Sequence, residues 1–186
     1  MYPYIEFLDP EEIGYTEDMR LKLLETAEAI GERYREYVST EGYVNQLEYC
    51  GAIKHKGLGA DDFQITKVMR DLIQPQHIIH AAVYVRFQPR ACIFPHVDDN
   101  LERSTCLTFP LAPSSEHFAP TMFYKDETDQ KPSAIVHWDG RPGALNTREV
   151  HAVHNNEHIR YTFQLCFDMM LGDFMKLHNN GEIFRE

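Results

Sequence analysis

Residues 160–167 read Arg160-Tyr161-Thr162-Phe163-Gln164-Leu165-Cys166-Phe167 and alternate without a break. Successive side chains of an extended chain point to opposite faces. Tyr161, Phe163, Leu165 and Phe167 therefore share one face, and Arg160, Thr162, Gln164 and Cys166 share the other. Period two over eight residues predicts a strand with one strongly apolar side. An arginine that opens the other side reaches solvent if that side is outward. Turned inward, it needs an anionic partner.

Upstream the same grammar recurs. Runs rich in β-branched and aromatic residues at Ile78–Phe87, Ser104–Leu111, Thr121–Tyr124, Ala134–Trp138, Ala144–Thr147 and Ala152–His154 alternate with Pro and Gly punctuation. Many short strands at this spacing predict an antiparallel sandwich, jelly roll or barrel. The segment from Phe87 to Pro95 reads as turn-like. Ahead of the strands the period changes to 3.6. Thr16 can cap a helix whose first turn holds Glu17 and Asp18, and Leu23, Leu24, Ala27, Ile30, Tyr34, Tyr37 and Val38 recur at helical spacing until Gly42. A second helix is expected after Asp61 and Asp62, with Ile65, Val68, Met69, Leu72 and Ile73 on one face and Pro75 as its stop. The expected layout is one domain over residues 1–186: a helical support over 1–76, a β core over 77–168 and a C-terminal tail over 169–186.

The bulk composition fits that layout. The chain has 186 residues, 43% of them hydrophobic and 25% charged, enough to bury a core in one domain. No apolar run approaches the roughly 20 residues of a membrane span, and the N-terminus has no basic signal-peptide start. A net charge of -11 argues against nucleic acid, whose phosphates need a basic face. Most of that charge sits in residues 1–48, where twelve acidic side chains face four basic ones, as on the solvated side of a surface helix. Cys50, Cys92, Cys106 and Cys166 form no CxxC or zinc-type cluster, so they are expected as reduced thiols of a cytoplasmic protein. Ten histidines remain to be explained.

A His and an Asp two apart on a strand point the same way, so one metal can take both. His96-Val97-Asp98 has this form, and so does His137-Trp138-Asp139. With ten histidines and twelve aspartates chance alone supplies about 0.6 such pairs, so spacing must discriminate. Between Asp98 and His151 several strands can run out and return; between Asp139 and His151 there is room for barely one hairpin. His96, Asp98 and His151 would make a two-histidine, one-carboxylate facial triad of the non-haem Fe(II) type, with three coordination positions open. Arg160 follows His151 by nine residues.

In their order, these residues resemble a known family. Phe87-Gln88-Pro89, Pro95-His96-Val97-Asp98, Arg103 and Phe109-Pro110-Leu111 are followed by Pro142-Gly143-Ala144-Leu145-Asn146, then Arg148-Glu149-Val150-His151-Ala152-Val153, Asn155 and Arg160. The set is similar to the Fe(II)/2-oxoglutarate-dependent oxygenases, nearest to their aspartyl/asparaginyl β-hydroxylase-like branch, over about residues 80–168. The resemblance implies a double-stranded β-helix (jelly roll, cupin-like) core. It implies Fe(II) held by His96, Asp98 and His151, and 2-oxoglutarate whose far carboxylate pairs with Arg160. Oxidative decarboxylation with O2 to succinate and CO2 would hydroxylate a C–H bond of a small-molecule amino acid or a peptidyl side chain. His154 rivals His151, which is preferred because it occupies the His of the His-Ala-Val pattern. Where the family often has Gly after the Pro of its turn, this chain has Arg90 after Pro89.

Around that centre the expectations are plainer. Thr108 and Cys106 could border the 2-oxoglutarate pocket or simply pack, and Tyr84 and Arg86, on one strand face, could meet a substrate. His55, His77, His80, His117, His158 and His178 lack partners at ligand spacing and are expected in loops or core. His137 is expected to end a strand, and the cysteines to fill core. Two rival readings remain: a cupin-type metal enzyme that does not use 2-oxoglutarate, and a non-catalytic small-molecule-binding jelly roll.

Overall fold

A computed structural model describes residues 4–30, 49–50, 72–74, 77, 81–98 and 104–185. In chain order the elements are β1 (Ile5–Phe7), α1 (Glu17–Ile30), β2 (Tyr49–Cys50), β3 (Ala81–Phe87), β4 (Cys92–His96), β5 (Thr105–Ala112), β6 (Thr121–Phe123), β7 (Ala134–Val136), β8 (Gly143–Asn146), β9 (His151–His154), β10 (Arg160–Phe167) and α2 (Leu171–Asn179). They form a six-stranded sheet in the order β1-β8-β5-β10-β3-β2 and a four-stranded sheet in the order β4-β9-β6-β7. Every pairing is antiparallel. Consecutive strands jump between the sheets, as β3 to β4 and β9 to β10 do, which is the winding of a double-stranded β-helix.

The two faces of β10 explain the layering. Phe163, Leu165 and Phe167 join Tyr84, Leu107, Phe109 and Leu111 on the outer side of the large sheet. There they pack on Leu23, Ala27 and Ile30 of α1 and on Leu171, Phe174 and Met175 of α2. Cys166 looks the other way and joins Val83, Val85, Phe87, Cys106 and Leu145 against Phe123, Val153 and Ala119. The apolar face expected of 160–167 is the helix-facing one, and its polar face is turned between the sheets.

Thr16 caps α1 as expected: its Oγ1 accepts the Met19 N–H at 3.2 Å. Arg20 pairs with Glu17 at 2.6 Å and donates to the Leu111 carbonyl at 2.6 Å, tying the helix to the end of β5. Tyr34, Tyr37, Val38 and Gly42, the second helix up to residue 71, His55, His80 and Arg103 lie outside the described residues. Leu72 and Ile73 are buried, and Ile73 bridges to Phe184. Residues 169–185 carry α2, which covers the large sheet. Among the described residues no helix is long and apolar enough to cross a membrane.

Only part of the Phe87–Pro95 segment is a turn. Gln88–Ala91 turns, closed by the Ala91 N–H to the Gln88 carbonyl at 3.1 Å, and β4 then begins at Cys92. Pro95 sits inside β4, and the β4–β9 register shifts between Ile93 and His96. β4 is an edge strand, where a proline and an irregular rung are tolerated. In the turn Arg90 has φ 66°, the left-handed region that glycine favours. An arginine therefore occupies, at a conformational cost, the position where the resembling family often has glycine.

Candidate metal centre

β4 and β9 pair so that His96 lies opposite His151. The two rings stand 4.5 Å apart between centroids, at 45°. Each donates Nδ1–H to the backbone carbonyl two residues upstream, His96 to Phe94 at 2.8 Å and His151 to Glu149 at 2.9 Å. A ring fixed in this way presents Nε2 as its lone-pair donor. Asp98 continues from β4, its N–H bound to the Thr147 carbonyl at 3.1 Å, so the loop before β9 sets its place. Its Oδ1 lies 3.8 Å from His96 Nε2. Ligand atoms of His96, Asp98 and His151 all fall within 4.8 Å of one another. Two imidazole nitrogens and one carboxylate oxygen, fixed by backbone bonds, fit a divalent first-row metal ion with open positions.

Electrostatics favour a ligand state. His151 is 7% exposed. Burial, reinforced by His96 and only partly offset by Asp98 and the Glu149 carbonyl, holds its pKa well below the usual range, at about 4. It is thus neutral, as a metal ligand must be, at any ordinary pH. His154 lies at the far end of β9, opposite Cys92, and is exposed. Residues 151 and 154 differ by an odd number along the strand, so they face opposite ways.

Arg160 opens β10 opposite Phe87, on the face turned between the sheets. It is 3% exposed, with its guanidinium 4.2 Å above the Phe118 ring and 5.2 Å from that of Phe87. Its Nε and Nη1 are buried without a hydrogen-bond partner among the described residues, and burial pushes its pKa down to about 9. The rings hold the charge without neutralising it. An unsatisfied buried fork of this kind fits a carboxylate. Asn155 supports it from below: its Nδ2 donates to the Gln88 and His158 carbonyls at 2.8 and 2.7 Å, fastening the β9–β10 turn to the β3–β4 turn.

Along the same face of β10, Thr162 Oγ1 is also buried without a partner among the described residues. Nothing in the sequence marks it, because a strand threonine is ordinary until its hydroxyl proves unsatisfied. Thr108, opposite Gln164 in the β5–β10 pair, is buried and accepts the Gln164 Nε2–H at 3.4 Å. Tyr84 and Arg86 do not face this space. Tyr84 packs on Phe163 at 4.9 Å on the helix side of the sheet, and Arg86 shares its face because Val83, Val85 and Phe87 point inward.

The second His-x-Asp pair is used structurally. Asp139 accepts from the Arg141 guanidinium at 2.6 and 2.9 Å and from its backbone N–H at 3.0 Å, while Trp138 is buried and donates to Thr121 Oγ1 at 3.0 Å. His137 is exposed just past β7. His178 is buried edge-on to Phe184, His77 donates to the Glu182 carbonyl, and His117 and His158 meet edge to face at 4.6 Å between centroids.

No protein-family model and no curated protein matches the sequence. Solved structures do match in fold. A prolyl hydroxylase from Trichoplax adhaerens, in complex with a hypoxia inducible factor peptide fragment, is 14% identical, with a TM-score of 0.51 over 88% of this chain and 83% of that one. AviO1 from Streptomyces viridochromogenes is 13% identical, with a TM-score of 0.51 over 88% of this chain and 90% of that one. EvdMO1 is 14% identical, with a TM-score of 0.56 over 88% of this chain but only 47% of the longer neighbour. At such identity the likeness establishes a shared fold, the double-stranded β-helix, and the reading of the site rests on this chain's own residues.

Proposed function

We propose that the chain is an Fe(II)/2-oxoglutarate-dependent dioxygenase that hydroxylates a C–H bond of an amino acid or a peptidyl side chain, releasing succinate and CO2. One observation carries the reading: a buried arginine with unsatisfied donors and a two-histidine, one-carboxylate cluster occur in the same two-sheet sandwich. His96, Asp98 and His151 would hold the iron facially, and Arg160 would take the far carboxylate of 2-oxoglutarate. The Thr162 hydroxyl is aligned with that arginine as a further donor, and Thr108 lines the same face. Bound iron and 2-oxoglutarate supply the oxidising power for O2-dependent hydroxylation. The protein supplies orientation, because a bidentate clamp at one end of the co-substrate fixes how its other end meets the metal. Phe87 and Phe118 keep water from the clamp.

The resemblance to the aspartyl/asparaginyl β-hydroxylase-like branch supports the substrate class, and the prolyl hydroxylase among the fold neighbours is in complex with a peptide fragment. The reading takes residues 1–186 as one oxygenase domain with O2 as second substrate and without nucleic-acid or membrane partners. The reduced thiols of Cys92, Cys106 and Cys166 support a cytoplasmic setting. A cupin-type enzyme without 2-oxoglutarate need not have an arginine at this position, and the intact set of His96, Asp98, His151 and Arg160 counts against a non-catalytic jelly roll. Succinate formation dependent on both Fe(II) and 2-oxoglutarate, and lost in Asp98→Ala, tests the proposal. Succinate at the level of a protein-free control would contradict it.

A further inference from the structure

The inward rungs between β5 and β10 end in two thiols that the proposed reaction does not use. Cys106 and Cys166 stand directly opposite each other in the β5–β10 register, one rung beyond the Thr108–Gln164 pair. They are 2% and 0% exposed, both reduced, and their sulfurs lie 3.2 Å apart. Directly opposed residues of an antiparallel pair have Cα atoms about 4.5–5.5 Å apart. That lies within the roughly 4.4–6.8 Å a disulfide spans, and closing to a bond of about 2.0 Å asks the sulfurs to approach by about 1 Å. Side-chain rotation supplies most of this, because both Cβ atoms already point into the same space. Strand pairing has pre-organised a dithiol.

We propose that Cys106 and Cys166 form a reversible oxidation site, closed to a cross-strand disulfide by a hydroperoxide small enough to enter the space between the sheets. One sulfur, as thiolate, attacks a peroxide oxygen and becomes a sulfenic acid, and the O–O bond breaks to release water. The second thiol then attacks that sulfur, forms the S–S bond and expels the sulfenic oxygen as a second water. Two thiols and one hydrogen peroxide thus give one disulfide and two waters: both sulfurs are oxidised, the peroxide is reduced, and the thiol protons leave in water. A partner sulfur already in contact intercepts the sulfenic acid before further oxidation to the irreversible sulfinic state. The product joins residues 60 apart in sequence across the two central strands of the large sheet, and it narrows the unfolded state as well. The site stands on the strand pairing alone and is independent of the metal assignment.

The test treats the full-length chain, without added metal, with stoichiometric hydrogen peroxide, then alkylates remaining thiols and maps the peptides by mass spectrometry. The expected result is a Cys106 peptide joined to a Cys166 peptide with the loss of two hydrogens, restored to two alkylatable thiols by dithiothreitol. The oxidised chain should also melt several degrees higher. In Cys106→Ser the Cys166 sulfur should instead be trapped as a sulfenic acid by dimedone; Cys166→Ala gives the mirror test on Cys106 should the first variant fail to fold. Cys106 and Cys166 still alkylatable after peroxide, sulfinic acid on either in the native chain, or a bond from either to Cys50 or Cys92 would overturn the proposal.

Discussion

His96 and His151 face each other across the β4–β9 pair with ring centroids 4.5 Å apart, and each is pinned through Nδ1 to the carbonyl two residues before it. The same local device thus sets both rings. Strand pairing aims both at one point, and Asp98 closes the third corner. Backbone bonds and strand register, and not side-chain packing alone, thus set the direction of both rings.

That relationship predicts a pH dependence. The pKa of His151 is lower in the folded chain, about 4, than in the unfolded chain, where the ordinary value of 6.5 applies. Between these values the unfolded state binds more protons, so stability rises with pH through this window. The contribution is complete above about pH 6.5 and is lost as pH falls towards 4, with a limiting slope of about 1.4 kcal/mol per pH unit. Denaturant melts of metal-free protein should weaken from pH 7 to pH 5, and His151→Asn should flatten that slope. An unchanged slope in the variant would assign the acid sensitivity elsewhere.

Arg160 should trade stability for binding. Its buried charge has unsatisfied donors, so Arg160→Met removes an uncompensated cation while keeping most of the volume. Even buried charges that have ion-pair partners can often be replaced by apolar groups with a neutral effect or a gain of about 1–4 kcal/mol. The variant should melt above the native chain in the absence of ligands and lose the thermal shift caused by 2-oxoglutarate, with metal binding retained. A variant still stabilised by 2-oxoglutarate would remove Arg160 from the clamp.

Arg90 offers the opposite kind of change. Its φ of 66° is costly for a side chain and free for glycine, while its ion pair with Glu157 at 2.9 Å is exposed and worth little. Arg90→Gly should leave stability unchanged or raise it by up to about 1 kcal/mol. A loss above 1 kcal/mol on chemical denaturation would show that the Glu157 pair outweighs the backbone strain.

Gly143 cannot take a side chain for a different reason. A Cβ there would lie 2.9 Å from Trp138 Cζ3 and 3.0 Å from Ile5 Cγ2. Trp138 is pinned by its bond to Thr121, so the ring cannot simply swing away. Gly143→Ala should cost about 1–3 kcal/mol in denaturant melts through overpacking. An unperturbed midpoint would mean that β1 yields instead.

Much of this architecture is legible in the residues, for identifiable reasons. β10 announces itself because both of its faces are buried yet differ in chemistry, so the alternation survives intact. β4 is hidden: Pro95 and the irregular rung before His96 break the period, and an edge position is what permits them. β1 has three residues and β2 two, too few for any period to show. The His-x-Asp motif at 96–98 is separable from its copy at 137–139 by the distance to His151. The inward direction of Arg160 is not legible from β10 alone, since it depends on which face the helices cover. Thr162 has no signal at all before its hydroxyl is seen to be buried and unsatisfied.

If His96, Asp98 and His151 hold Fe(II) and Arg160 holds 2-oxoglutarate, the two ligands bind as one unit. Anaerobic titration of the full chain with Fe(II) and then 2-oxoglutarate tests it most directly, read by visible absorption. A weak charge-transfer band is expected that saturates at one 2-oxoglutarate per chain, disappears in His96→Ala and needs far more 2-oxoglutarate in Arg160→Met. Tight Fe(II) binding with no band at saturating 2-oxoglutarate would contradict it.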